Sequence, residues 1–110
     1  MKLITKELEK IIPEFYSSED VALEEKIVYA KFFLPDADWT WFVLEYDKKS
    51  NSIFALVDGL DRELGYASIE ELEQVRGRMG LHVERDIYFK PVRYGDLNIW
   101  KSMKIWMNQL

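Results

Sequence analysis

The chain has no cysteine. Disulfides, thiolate metal ligands and thiol nucleophiles are therefore excluded. We expect a cytoplasmic protein, although a cysteine-free chain is also compatible with export. There is one histidine, His82, and no nucleophile at a telling position accompanies it. The five glycines include no phosphate-cradling loop, and no G-x-S-x-G elbow presents a serine. Basic residues are the minority, 15 Lys and Arg against 20 Asp and Glu, for a net charge of −5. Generic nucleic-acid binding needs a basic face and is disfavoured. No apolar run approaches the roughly 20 residues that span a bilayer. The start, Met1-Lys2-Leu3-Ile4-Thr5-Lys6-Glu7, turns charged before a secretory core develops. No membrane association and no cofactor are expected.

What the chain does have is aromatic and aliphatic bulk. Its 110 residues are 48% hydrophobic and include four Trp, six Tyr and six Phe. That suits a single domain over residues 1–110 with a core that needs no staple. Trp39 to Tyr46 and Ser52 to Asp58, joined by the polar loop 47–51, read as a β-hairpin. In the first arm Trp39, Trp41, Val43 and Glu45 alternate with Thr40, Phe42, Leu44 and Tyr46. Both pleat faces are apolar, so both must be covered. Ile27 to Leu34 reads as a preceding strand, with Val28, Ala30, Phe32 and Leu34 on one face. Glu63 to Ala67 is a short further strand, and Val83 to Phe89 another.

Three helices are expected around this sheet. Thr5 caps the first; Ile4, Leu8, Ile11, Ile12 and Phe15 form its apolar stripe, and Pro13 ends it near Ile12. Ser68-Ile69-Glu70-Glu71 fits a capping box, with Ile69, Leu72 and Val75 as the buried stripe and Gly77 as the stop. Asp96 caps a last helix in which Ile99, Trp100, Met103, Trp106, Met107 and Leu110 share an arc of roughly 120°. That helix covers one side of the sheet or packs on a second copy, forming a homodimer; Leu97 and Ile105 lie off its main stripe and favour association. The fold class is α+β: a mainly antiparallel sheet of four or five strands with a central hairpin, packed by three helices.

Several segments together resemble a known family. They are Leu3-Ile4-Thr5-Lys6-Glu7-Leu8, Lys31-Phe32-Phe33-Leu34-Pro35-Asp36, Trp39-Thr40-Trp41, Glu63 to Leu72, and Val83 to Pro91. The chain is similar, up to about Pro91, to the bacterial family catalogued as domain of unknown function 2958. The resemblance carries no activity and no catalytic residues. It implies a setting, that of cargo of plasmids and other mobile elements beside antirestriction and DNA-maintenance genes.

Three constellations remain. Asp36 and Asp38, beside Pro35, have a spacing that can bind a divalent cation, and Asp58, Asp61 and Glu63 could join them. Turn chemistry is the plainer reading, because Asp bonds its own backbone in turns. Glu84-Arg85-Asp86 follows His82 and reads either as a substrate-orienting group or as an ion bridge fixing the last strand. Arg76-Gly77-Arg78 could grip an anion, or complement the end of a helix. The favoured function is a non-enzymatic accessory protein that binds another protein. Its surface would be Trp39 and Trp41, which share a strand face, with Asp36 and Asp38; Glu84, Arg85 and Asp86 are further candidates. One alternative is a metal-dependent phosphoester hydrolase using Asp36, Asp38, Glu84 and Asp86. Another is an acidic nucleic-acid mimic that binds a DNA-acting protein.

Overall fold

A computed structural model describes residues 1–97. Thr5 opens α1 (Lys6–Ile11) by accepting a hydrogen bond from the Leu8 N–H at 3.2 Å. Ile12 is already extended and Pro13 keeps the chain out of helix. A loop and a short 3-10 turn, Leu23–Glu25, lead to β1 (Ile27–Val28) and β2 (Ala30–Leu34). The hairpin follows as β3 (Trp39–Asp47) and β4 (Ser52–Asp58), then β5 (Arg62–Ser68). Ser68 caps α2 (Ile69–Gln74) by accepting from the Glu71 N–H at 3.3 Å. β6 (Glu84–Arg85), β7 (Val92–Arg93) and a 3-10 turn, Tyr94–Asp96, complete the described chain.

The main sheet has five antiparallel strands in the order β5-β4-β3-β2-β6, with the hairpin central as expected. β1 and β7 pair with each other as a separate two-stranded ribbon. One sheet face is covered by α2 and by the residues that flank α1, which itself buries no residue fully; Ile11, expected on its apolar stripe, is 48% exposed. Ile4, Ile12, Ile69 and Leu72 close over Phe32, Trp41, Val43 and Ile53 there. Phe32 is fully buried, and such a side chain gains about 1.5–3 kcal/mol from leaving water. On the other face Phe42, Leu44 and Leu56 meet Val28 and Tyr94 from the ribbon and its 3-10 turn.

Several expectations need correction. The described residues carry two α-helices where three were expected; the C-terminal helix lies outside the described residues, which stop one position after Asp96. The strand expected over residues 27–34 breaks at Tyr29. Val28 thereby leaves the face of Ala30, Phe32 and Leu34, and packs with Phe42 and Tyr94 instead. α2 ends at Gln74, with Val75 extended, before Gly77 is reached. The strand expected over 83–89 shrinks to Glu84–Arg85, because Asp86 turns the chain: its carboxylate accepts from the Tyr88 N–H at 3.0 Å and its carbonyl from the Phe89 N–H at 3.2 Å.

The most consequential correction lies inside β3. The register slips between Val43 and Glu45, a β-bulge opposite Ala55 and Phe54. Strict alternation puts Glu45 beside Trp41 and Val43. The bulge instead leaves Tyr46 on that helix-covered face and turns Glu45 to the other.

Candidate functional site

One end of the sheet gathers three turns. The β2–β3 turn, Pro35 to Asp38, leads into Trp39. The β4–β5 turn brings Gly59 and Leu60 beside it. The segment 77–81 folds back against Asp36. One Asp36 oxygen accepts from the Met79 N–H at 2.6 Å and the Leu81 N–H at 3.4 Å. Its other oxygen is buried against Gly77 and has no hydrogen-bond partner among the described residues. A Cβ on Gly77 would lie 1.4 Å from that oxygen, so only glycine lets the carboxylate reach the turn. Asp36 is thus committed to holding two turns together, and Asp38 stays exposed.

Trp39 stands between two clefts. A Cβ on Gly59 would meet its ring at 2.6 Å, so the indole lies directly on that glycine. Its other neighbour is Trp41, with ring centroids 6.1 Å apart and planes inclined by 29°. Trp41 is buried, whereas Trp39 is 37% exposed. The first cleft, about 400 Å³, is lined by Leu34, Trp39, Trp41, Val75 and Arg78 and is mostly apolar. The second, about 680 Å³, is lined by Pro35, Asp36, Asp38, Trp39, Leu60 and Arg78. Leu60 at 92% exposure and Met79 at 81% leave apolar surface in water at the same end of the sheet. Of the two arginines singled out in the sequence, Arg76 donates to the carbonyls of Glu73 and Val75, both at 2.9 Å, and so complements the end of α2. Arg78 lines both clefts and makes no ion pair among the described residues.

The remaining candidates lie elsewhere. Glu84 and Arg85 form β6 at the opposite sheet edge from β5, and Asp86 follows. The Arg85 guanidinium donates to the carbonyls of Lys2 and Leu3, the latter at 3.2 Å, and so ties the N-terminal segment to the sheet. Glu84 and Asp86 line a separate shallow cleft with Phe33 and Tyr88. Among the described residues no three His, Asp or Glu side chains converge as a metal site. The carboxylates named for hydrolysis are therefore split between two places.

Alternation along β3 also concealed a buried polar centre. Glu45 is 2% exposed. Its carboxylate accepts from the Tyr16 N–H at 2.9 Å, the Ser18 N–H at 3.2 Å and the Ser18 hydroxyl. Lys26, also buried, donates to the Ser18 carbonyl and to its hydroxyl, the latter at 3.3 Å. Tyr16 adopts φ 68°, a left-handed turn that aims its N–H at Glu45. Across the same loop the neighbouring Tyr16 side chain, and after it partial desolvation, raises the Tyr66 pKa above its ordinary value.

A family model described as a protein of unknown function, DUF2958, matches residues 3–103. The chain belongs to the DUF2958 family. The DUF2958 match runs past Pro91, where the sequence resemblance was expected to fade, and includes every residue of the two clefts. No curated protein and no solved structure matches this DUF2958 chain.

Proposed function

We propose that this DUF2958 chain is a non-enzymatic accessory protein that acts by binding another protein through the Trp39 cleft. The carrying observation is an exposed indole, braced by Gly59 and Trp41, with the cation of Arg78 lining the hollows on both sides of it. Tryptophan and arginine dominate binding energy at interfaces because they combine large contact area with a directional polar end. A matching partner offers an apolar side chain to the smaller cleft and a carboxylate to Arg78, whose planar fork suits that group. A setting on a mobile element follows from the family resemblance alone.

The test is a tagged pull-down from nuclease-treated lysate of a related bacterium, run with the native chain, Trp39→Ala and Arg78→Glu. One protein retained near stoichiometry by the native chain and lost from both variants, at unchanged melting temperature, supports the reading. Equal recovery by Trp39→Ala sinks it.

A further inference from the structure

Among the described residues β5 is an unpaired sheet edge. It pairs with β4 over its whole length, Arg62 opposite Asp58 through Ser68 opposite Ser52. In an antiparallel pair the cross-strand bonds come from every second residue, and the others point their backbone groups outward. The bonds flanking this ladder fix which is which. The Ile69 N–H reaches the Asn51 carbonyl at 2.9 Å, and the Gly59 N–H reaches the Asp61 carbonyl at 3.0 Å. Ser52–Ser68 and Asp58–Arg62 are therefore non-bonded pairs. Glu63, Gly65 and Ala67 bond to β4, while Arg62, Leu64, Tyr66 and Ser68 aim N–H and C=O away from the sheet. The outward groups of Leu64 and Tyr66 bond to no described residue.

Such an edge is usually defended by a lysine, a proline or a bulge. β5 has none of these, and its only charges are its first two residues. Leu64 is 44% exposed and Tyr66 56%. Between them a Cβ on Gly65 would meet no described residue within 4 Å, and its φ is not positive. Among the described residues neither packing nor backbone geometry requires glycine here, and strand glycine often marks the approach of another backbone.

We infer that β5 pairs antiparallel with β5 of a second copy, joining two five-stranded sheets into one. The strand is its own complement about Gly65. In that register Arg62 faces Ser68, Glu63 faces Ala67, Leu64 faces Tyr66, and Gly65 faces its counterpart on the two-fold axis. All seven residues overlap and the outward groups meet as bonded pairs. A slip by one residue sets outward groups against inward ones and forms no ladder. No like charges stand opposite each other, and the Leu64–Tyr66 contact occurs twice, beside Phe54, whose ring lies 4.9 Å from that of Tyr66. A two-fold axis closes the assembly at a dimer. This inference does not rest on the Trp39 cleft.

Light scattering on the full chain should give twice 13.1 kDa. Because the chain is cysteine-free, Gly65→Cys introduces a single thiol on the axis. A non-bonded antiparallel pair holds Cα atoms about 4.5 Å apart, within disulfide reach. Under mild oxidant Gly65→Cys should become a covalent dimer, while Ser50→Cys, at the hairpin tip, should not. Glu63→Cys and Ala67→Cys should cross-link when mixed and not when alone. Leu64→Pro removes only an outward N–H and should give a folded monomer. Monomer mass at every concentration, with Gly65→Cys linking no faster than Ser50→Cys, overturns the inference. A dimer that Gly65→Cys does not capture overturns it equally, by placing the contact elsewhere.

Discussion

At the scale of single residues, two positions show how tightly the fold constrains chemistry. Gly77 is glycine because the Asp36 carboxylate occupies the space of its side chain. Gly77→Ala should cost about 1–3 kcal/mol, the range for forcing atoms into filled space, read as a lower urea midpoint. Tyr46 gives the second case. Its hydroxyl donates to the Asn51 side chain at 2.7 Å, and burial, with Glu9 and Asp47 nearby, raises its pKa. A raised phenol means that the folded state holds its proton longer than the unfolded chain does. The stability it contributes is complete below the unfolded value near pH 10 and is lost as pH rises through the folded value. Thermal melts should therefore stay level up to about pH 10 and fall above it. Tyr46→Phe should lower stability by about 1 kcal/mol at neutral pH and flatten part of the alkaline fall.

At the scale of elements, the buried Glu45 carboxylate fastens the loop after α1 to the bulge in β3. Glu45→Ala leaves the N–H groups of Tyr16 and Ser18 and the Ser18 hydroxyl without their acceptor. We expect a loss of about 2–3 kcal/mol and faster hydrogen exchange at those two amides, with the β3–β4 ladder still protected. What sequence pattern conveys is also clearest here. Thr5 and Ser68 announced both helix starts, and the polar loop 47–51 announced the hairpin, because caps and turns are local chemistry. The bulge was not announced: every residue from Trp41 to Leu44 is apolar, so the pattern offers no mark where the phase slips. The short β6 was overread for a related reason, since Val83, Ile87 and Phe89 alternate although the Asp86 turn ends the strand.

At the scale of the whole molecule, the layered α+β plan was legible, since two apolar faces demand two covers. The identity of the second cover was not. The β1–β7 ribbon comes from segments 64 residues apart at the Val28–Val92 pair, and nothing local announces such a pairing. The candidate site was legible in the same uneven way. Trp39, Trp41, Asp36 and Asp38 are near neighbours in sequence and are found together, whereas Arg78, Gly59 and Leu60 join them only through the fold. The clasp of Arg85 on the carbonyls of Lys2 and Leu3 sets an order of events for a chain emerging from a ribosome. Leu3 is fully buried, yet its clasp is 82 positions downstream. The hairpin can form while synthesis continues, but the two carbonyl bonds wait for β6. During synthesis Lys2 and Leu3 therefore keep their carbonyls open to water, or to another donor, until Arg85 is made.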